Sequence, residues 1–222
     1  MKKYRVLALC VCLVAPFMAQ LMAEGPADLS YSLGMVIGAN LKSSGLDISP
    51  EVFMQGLKDV IAGKKTKFTD AEAQENIQAA LAVAEAKKGA DNLAAGTAFL
   101  EGNRKKAGIV TTASGLQYTV LTAGKGLKPK ATDTVKVNYE GKLLNGSVFD
   151  SSYARNESAT FPLDGVIRGW TEGVQLMPVG SKYRFFVPSD LAYGQQGAGG
   201  AIAPNSTLIF EIELLSIEEA KQ

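Results

Sequence analysis

Residues 135–150 have the sequence VKVNYEGKLLNGSVFD, and this stretch decides the fold of the second half of the chain. Over its first part apolar and polar residues alternate, as in a half-buried strand, with Val135, Val137 and Tyr139 as the apolar set. Asn145-Gly146 then separates two apolar pairs. This dipeptide is a strong hairpin signal because both central positions of the turn it favours need positive φ. The stretch therefore predicts two antiparallel strands.

The same alternation recurs on both sides of this hairpin. It places inward the apolar residues of three more strands: Leu116, Tyr118 and Val120; Tyr183, Phe185 and Val187; Leu208, Phe210, Ile212 and Leu214. One short helix from about Gly169 to Met177 interrupts the strands and presents Trp170 and Val174 on one face. The fold class is therefore α+β, with an antiparallel sheet wrapped on one short helix. We expect this domain to span residues 108–222 and to fold around a core of its own.

Residues 24–107 have helical spacing and predict an all-α domain ahead of the sheet. Ser49-Pro50-Glu51 gives one helix an N-cap, a proline at its first position and an acid in its first turn. Thr69 to Glu72 matches a capping box that opens a longer, alanine-rich helix. An earlier helix ends near Ser44-Gly45. Leu29, Leu33, Ile37 and Leu41 form one stripe along this helix. The helix after Ser49 is expected to point Phe53, Leu57, Val60 and Ile61 inward.

Two such short helices carry more apolar surface than they can bury alone, which predicts a homodimer through residues 27–63. Gly34, Gly38 and Gly56 support close approach of backbones there, because glycine in a helix costs about 1 kcal/mol against alanine. The alternative is that the alanine-rich helix folds back and covers this surface within one chain.

Residues 1–23 carry Lys2, Lys3 and Arg5 and then a long apolar run, which is typical of a secretory signal peptide. A retained membrane anchor is the alternative. Both cysteines, Cys10 and Cys12, lie in this segment, so the exported chain would have none and a formal charge of −2. That charge does not suggest a nucleic-acid partner. The 222 residues contain no histidine, which excludes catalysis and metal binding by imidazole, and we expect neither a metal nor a cofactor.

Aromatic residues and one acid are concentrated in the second half of the chain. They come from strand ends, loops and the short helix: Tyr139, Phe149, Asp150, Phe161, Val166, Ile167, Trp170, Tyr193 and Phe210. An ordinary aromatic core would give much of the same pattern. The carboxylate argues for a site instead, because an acid among aromatic rings is costly unless it has a partner.

Three segments together resemble the FKBP family of peptidyl-prolyl cis-trans isomerases: residues 135–152, then VIRGWTEGVQLMPVGSKYRFFVPSDLAYG from 166 to 194, and APNSTLIFEIELLSI from 203 to 217. Residues 29–63 and 92–118 are similar to the helical region of its macrophage infectivity potentiator (Mip) branch and to the entry into the catalytic domain of those proteins. The resemblance implies a shallow proline pocket with Trp170 as its floor. Its walls would be Tyr139, Phe149, Phe161, Val166, Ile167 and Phe210.

The resemblance also implies individual roles. The Ile167 N–H and the Tyr193 hydroxyl would hold substrate carbonyls, Asp150 would polarise the site, Arg155 would partner that acid, and Ile202 would close the loop side. The expected function is X-Pro isomerisation in exported proteins, in the periplasm or in association with the outer membrane, together with chaperone activity. The alternative is a non-catalytic holdase or surface-binding module on the same fold. Macrolide binding is implied too, with an affinity altered by Ala159 and by the glycine-rich loop 195–201.

Overall fold

The computed structural model describes residues 25–218, which begin with three helices. These are α1 (Pro26–Ser44), α2 (Pro50–Ile61) and α3 (Asp70–Asn103). The predicted caps are confirmed: the Ser49 side chain accepts from Val52 N, and Thr69 and Glu72 form the reciprocal capping box. None of the helices within 25–218 is long and apolar enough to cross a membrane. The predicted signal peptide, residues 1–23, lies outside the described residues.

A seven-stranded antiparallel sheet forms the second half. Its strands are β1 (Val110–Thr111), β2 (Gln117–Thr122), β3 (Thr134–Leu143), β4 (Val148–Ser151), β5 (Ala159–Pro162), β6 (Lys182–Val187) and β7 (Leu208–Glu218). They are ordered β1-β2-β6-β7-β3-β4, and β5 also pairs with β3. Helix α4 (Arg168–Val174) crosses one face, and three short 3₁₀ helices cover 163–165, 189–191 and 194–196. The predicted α+β class is confirmed.

Helix α4 lies close to the sheet because two of its residues have no side chain there. A Cβ on Gly169 would lie 2.5 Å from Val187 Cγ1, and one on Gly173 would lie 2.6 Å from Phe185 Cε1. The two glycines are four positions apart and so share one face of the helix. Because these glycines have no side chains, Trp170 and Val174 can enter the core between α4 and the sheet, where both are buried.

The predicted strand faces are confirmed for β3, β6 and β7 but not for β2. Gln117 is only 3 % exposed, whereas Val120 is 46 % exposed. The reason is that α3 covers the second face of the sheet at this point. Asn103 Nδ2 donates to Gln117 Oε1 at 3.0 Å, and Gln117 Nε2 donates to the Leu100 carbonyl at 2.9 Å, so the buried amide is satisfied.

The hairpin after β3 forms as predicted, but its turn is of a different type. Gly146 has φ +86°, whereas Asn145 is not among the residues with positive φ. Gly146 N donates to the Leu143 carbonyl, and Leu143 N donates to the Ser147 carbonyl. This is the geometry of a three-residue loop in which one residue has a left-handed conformation. The expectation that both central residues need positive φ is therefore wrong here, because the longer loop leaves that requirement to glycine alone.

The apolar side chains of α1 and α2 are largely exposed. Leu29, Leu33, Ile37, Phe53, Leu57, Val60 and Ile61 are between 38 and 77 % exposed. Gly34, Gly38 and Gly56 have no atom within 4 Å of a Cβ position. For Phe53, Leu57, Val60 and Ile61 the inward assignment is wrong for the single chain, because all four side chains remain more than a third exposed.

The packing of the chain divides it between Ser43 and Ser44 into two compact units. The boundary at 107/108 stays a prediction, and contacts cross it. Phe99 on α3 lies 5.7 Å from Phe186 on β6, and Asn103 bonds Gln117 as described above.

We expect Gly96→Ala to lower the melting temperature, whereas Gly102→Ala on the same helix should raise it slightly. A Cβ on Gly96 would lie 2.2 Å from Thr207 Oγ1 and 3.2 Å from Thr207 Cβ, and Thr207 is buried. Gly102 has open space around it, so alanine there adds only helix propensity, worth about 0.5–1 kcal/mol. Thermal unfolding of both variants measures the difference. An equal gain for both would contradict the packing of α3 on the sheet domain.

Candidate active site

A depression of about 240 Å³ opens between α4, the sheet and the loops around them. Nine of the residues singled out from the sequence line it, and Gly165 is an additional member. They are Tyr139, Phe149, Asp150, Phe161, Val166, Ile167, Trp170, Tyr193 and Phe210. Five separate elements, β3, β4, β5, α4 and β7, contribute six of these residues, and Val166, Ile167 and Tyr193 lie in the connecting segments.

Trp170 is the centre of the aromatic set and is 5 % exposed. Its ring stands edge-to-face with three others: Tyr139 at 5.2 Å, Phe161 at 5.6 Å and Phe210 at 5.3 Å between centroids. Such edge-to-face contacts are favourable because the ring edge is positive and the ring face is negative. The indole Nε1 is buried and has no hydrogen-bond partner among residues 25–218.

The wall formed by Phe149 and Phe210 depends on a glycine. These two rings meet edge-to-face at 5.5 Å. A Cβ on Gly141 of β3 would lie 2.6 Å from Phe149 Cζ and 2.8 Å from Phe210 Cε1. Any larger residue at Gly141 would push these rings out of place. The sequence indicates this packing, because a glycine inside a strand often marks a site where another group comes close to the backbone.

Asp150 projects from β4, opposite Gly141 of β3. The position of β4 is fixed just beyond it, where Tyr139 N donates to the buried Ser152 Oγ at 2.8 Å and Ser152 N donates to the Tyr139 carbonyl at 2.9 Å. The Tyr139 hydroxyl donates to one oxygen of Asp150, and Arg155 Nη1 donates to the other at 2.5 Å. Arg155 Nη2 also donates to the Tyr139 hydroxyl at 3.0 Å. Tyr139, Asp150 and Arg155 thus form a closed triangle of hydrogen bonds.

The surroundings fix the protonation states of this triangle. Partial burial acts to raise the pKa of Asp150, but the hydrogen bonds from Tyr139 and Arg155 outweigh it and hold the pKa below the ordinary 3.8. This carboxylate therefore favours the folded chain above pH 3.8, and its contribution is lost as the pH falls through the lowered pKa. Burial raises the pKa of Tyr139 above 10.0, as does its bond to Asp150.

Tyr193 and Ile202 occupy different environments. Tyr193 is 39 % exposed, its hydroxyl has no hydrogen-bond partner within residues 25–218, and burial followed by the charge of Asp150 raises its pKa above 10.0. It therefore remains a phenol that can donate. Ile202 is 7 % exposed and belongs to the core; it pairs with Ala198 and does not line the depression.

A larger groove of about 440 Å³ lies on the opposite face of the sheet. Phe186 and Ile209 form part of its lining; they adjoin Phe185 of the core on β6 and Phe210 of the aromatic set on β7, whose side chains lie on the other face of the sheet. Both acids in this groove have cationic partners: Glu211 is paired with Arg184 and Lys182, and Glu140 is paired with Lys142. No hydroxyl or acid in it has the arrangement found around Asp150, so the aromatic depression is the better candidate.

Comparison with protein families gives two matches. Residues 125–215 match the model described as FKBP-type peptidyl-prolyl cis-trans isomerase, and residues 26–120 match the domain amino-terminal to it. The chain belongs to the family of FKBP-type peptidyl-prolyl cis-trans isomerases. Its activity is the cis–trans isomerisation of the peptide bond before proline.

Individual relatives resemble the chain over most of its length. It is 45 % identical to "Outer membrane protein MIP" of Legionella longbeachae, across 86 % of this chain and 85 % of that protein. It is also 45 % identical to the FKBP-type 22 kDa peptidyl-prolyl cis-trans isomerase of Escherichia coli, across 86 % and 95 %. The crystal structure of FkpA from Escherichia coli superposes with a TM-score of 0.72 at 40 % identity, covering 88 % of this chain and 95 % of that one. The predicted relation to the Mip branch is confirmed.

Proposed function

We propose that X-Pro bonds isomerise in the aromatic depression over Trp170 and that the substrates are exported polypeptides. The observation that carries the assignment is the triangle of Tyr139, Asp150 and Arg155 beside the edge-to-face rings. It places an ordered carboxylate, paired with a guanidinium, at the rim of an otherwise apolar pocket. A proline ring fits such a pocket, and the polar rim can hold the peptide groups on either side of it.

The proposed chemistry needs no bond to be broken. Rotation about an X-Pro bond meets a barrier of about 18–20 kcal/mol because amide resonance is lost when the bond twists. The planar amide is more polar than the twisted one, so apolar walls disfavour the ground state relative to the transition state. Fixed hydrogen-bond donors then hold the twisted form.

We assign the roles as follows. Trp170 is the floor, and Phe149, Phe161, Val166 and Phe210 are walls. The backbone N–H of Ile167, at the start of α4, and the Tyr193 hydroxyl donate to substrate carbonyls. Asp150, oriented by Tyr139 and Arg155, polarises the site. Ile202, which is buried and pairs with Ala198, closes the loop side.

We also propose that residues 1–23 direct export and that the chain acts in the periplasm, with attachment to the outer membrane as an extension of this proposal. The charged opening and apolar run of this segment support export. One relative carries the name "Outer membrane protein MIP". Macrolides should occupy the same depression, with an affinity set partly by Ala159 of β5 and by loop 195–201.

Dimerisation through residues 27–63 and chaperone activity complete the proposal. The exposed apolar side chains of α1 and α2 support both, since large apolar patches on soluble proteins usually mark interaction surfaces. A second copy would cover part of this surface, and two linked pockets could engage one unfolded chain.

We expect the mature chain to accelerate prolyl exchange in a short peptide with a kcat/KM that is constant between about pH 5 and pH 9. Asp150 titrates below this range, Tyr139 and Tyr193 titrate above it, and the chain has no histidine. Exchange rates measured by NMR across this range test the proposal. A bell-shaped profile would indicate acid–base chemistry instead, and no acceleration at any pH would exclude the site.

A further inference from the structure

The middle of α3 is joined to the loop that follows Tyr193. Asn92 Nδ2 donates to the Pro204 carbonyl at 2.8 Å, and Asn205 Nδ2 donates to the Gly89 carbonyl at 3.2 Å. These two bonds run in opposite directions and connect residues more than a hundred positions apart. Both of these hydrogen bonds are partly buried. The helix and the loop therefore hold each other at a defined distance.

Two glycines of α3 bring the helix this close. A Cβ on Gly89 would lie 3.1 Å from Pro204 Cβ, and one on Gly96 would overlap the Thr207 side chain. The two positions are seven apart, which is two helical turns, so they lie on the same face of α3. Both are buried within an otherwise largely exposed helix. This face of α3 is thus shaped to fit residues 204–207.

The loop has few fixed points of its own. Four of its glycines have positive φ, which leaves much of its backbone without side-chain anchors: Gly194, Gly197, Gly199 and Gly200. Its internal bonds are the pair between Ala198 and Ile202. Its base is closed by Asn205 N, which donates to the Gly194 carbonyl at 2.8 Å. Gly194 directly follows Tyr193, so a shift of Asn205 is transmitted to Tyr193 through one hydrogen bond and one peptide unit.

We propose that α3 positions the Tyr193 hydroxyl through this connection, with Asn92 and Asn205 as positioning residues for isomerisation. The inference rests on the proposed role of Tyr193 as a donor to the substrate. Asn92 and Asn205 lie outside the lining of the depression and act only through the loop. The helical half of the chain then tunes catalysis in the sheet domain.

The test uses the full mature chain and three isosteric changes. Asn92→Asp and Asn205→Asp each remove the donor and set a carboxylate against a carbonyl, and aspartate tolerates the positive φ of Asn205. Asn76→Asp introduces the same charge on an exposed position of α3 and is the matched control. We expect Asn92→Asp and Asn205→Asp to lower kcat/KM on short peptides about five- to tenfold, the ratio expected for the loss of about one hydrogen bond. Asn76→Asp should leave it unchanged.

The same three changes in a Tyr193→Phe background separate positioning from a general structural role. Because the hydroxyl is then absent, Asn92→Asp and Asn205→Asp should cost less than twofold there. Hydrogen exchange of the Ala198 and Ile202 amides should speed up in both variants, while exchange in β3 and β7 stays as in the wild type.

The outcomes distinguish the two proposals. Wild-type kcat/KM and loop exchange in both variants would overturn the positioning role, as would an equal loss in the Tyr193→Phe background. If Asp150→Ala and Trp170→Leu keep full activity, the site assignment itself has failed, whatever the loop variants show.

Discussion

Asp150→Ala should lower kcat/KM for short prolyl peptides by about 10- to 100-fold while the chain stays folded. The carboxylate binds Tyr139 and Arg155 at the rim of the pocket, and hydrogen bonds to a charged group contribute about 1.5–3 kcal/mol. Its removal frees both partners and takes away the ordered negative charge near the substrate. Trp170→Leu should have a similar effect because it removes the floor on which Tyr139, Phe161 and Phe210 pack.

The control for the acid is Asp164→Ala, which removes the same charge from an exposed position next to the depression. Its kcat/KM should stay within about twofold of the wild type, because the interactions of an exposed charge contribute little free energy. Trp170→Leu also leaves a cavity, so its activity is to be measured well below its own melting temperature, with circular dichroism to show that the fold is intact. Full activity in both Asp150→Ala and Trp170→Leu would show that isomerisation happens elsewhere.

Deleting residues 25–63 should convert a dimer into a monomer and weaken action on unfolded proteins about tenfold or more, with little change on short peptides. Two pockets in one particle raise the effective concentration for a long client, and a monomer loses that advantage. A short peptide meets one pocket at a time and is insensitive to the second. Sedimentation, peptide exchange and refolding of a proline-limited protein measure the three quantities.

A single charge provides a sharper version of this experiment. Leu57→Lys places a cation in the proposed interface on α2 and should raise the dimer dissociation constant by about 100-fold, since an apolar contact is lost and a charge is buried. Val83→Lys on α3 is the matched control, because Val83 is 71 % exposed and lies outside residues 27–63. A wild-type chain that sediments as a monomer at micromolar concentration would rule out the dimer.

The sequence predicts the sheet well in strands whose side chains alternate between the core and solvent. Val135, Val137 and Tyr139 are buried as expected because they belong to one core together with Trp170 and Val174 of α4. Gln117 was expected to face solvent and is buried, because its partners Asn103 and Leu100 come from a helix whose position no local pattern encodes. Strand β5 escapes prediction for a similar reason: four residues that end in proline show too little alternation to be recognised.

For the site, composition and spacing alone indicate an acid among aromatic rings, and the family resemblance supplies the individual roles. Ile202 could not be placed from the sequence, since an apolar loop residue can equally be a wall or part of the core. The link through Asn92 and Asn205 was also missed. Its signal was the pair Gly89 and Gly96, whose spacing marks one helical face, but the surface on which that face packs is a distant loop.

The pairing of β3 with β7 has a kinetic consequence. Thr134 pairs with Glu218 and Leu143 with Leu208, so the two strands that carry Tyr139 and Phe210 meet only after most of the chain has been synthesised. Closing so long a loop costs entropy before any contact compensates for it, and folds dominated by distant pairings fold slowly. Tyr139 and Phe210 both pack on Trp170, so the pocket is assembled late and as one unit. A newly synthesised molecule therefore gains its activity only when its own long-range folding is complete.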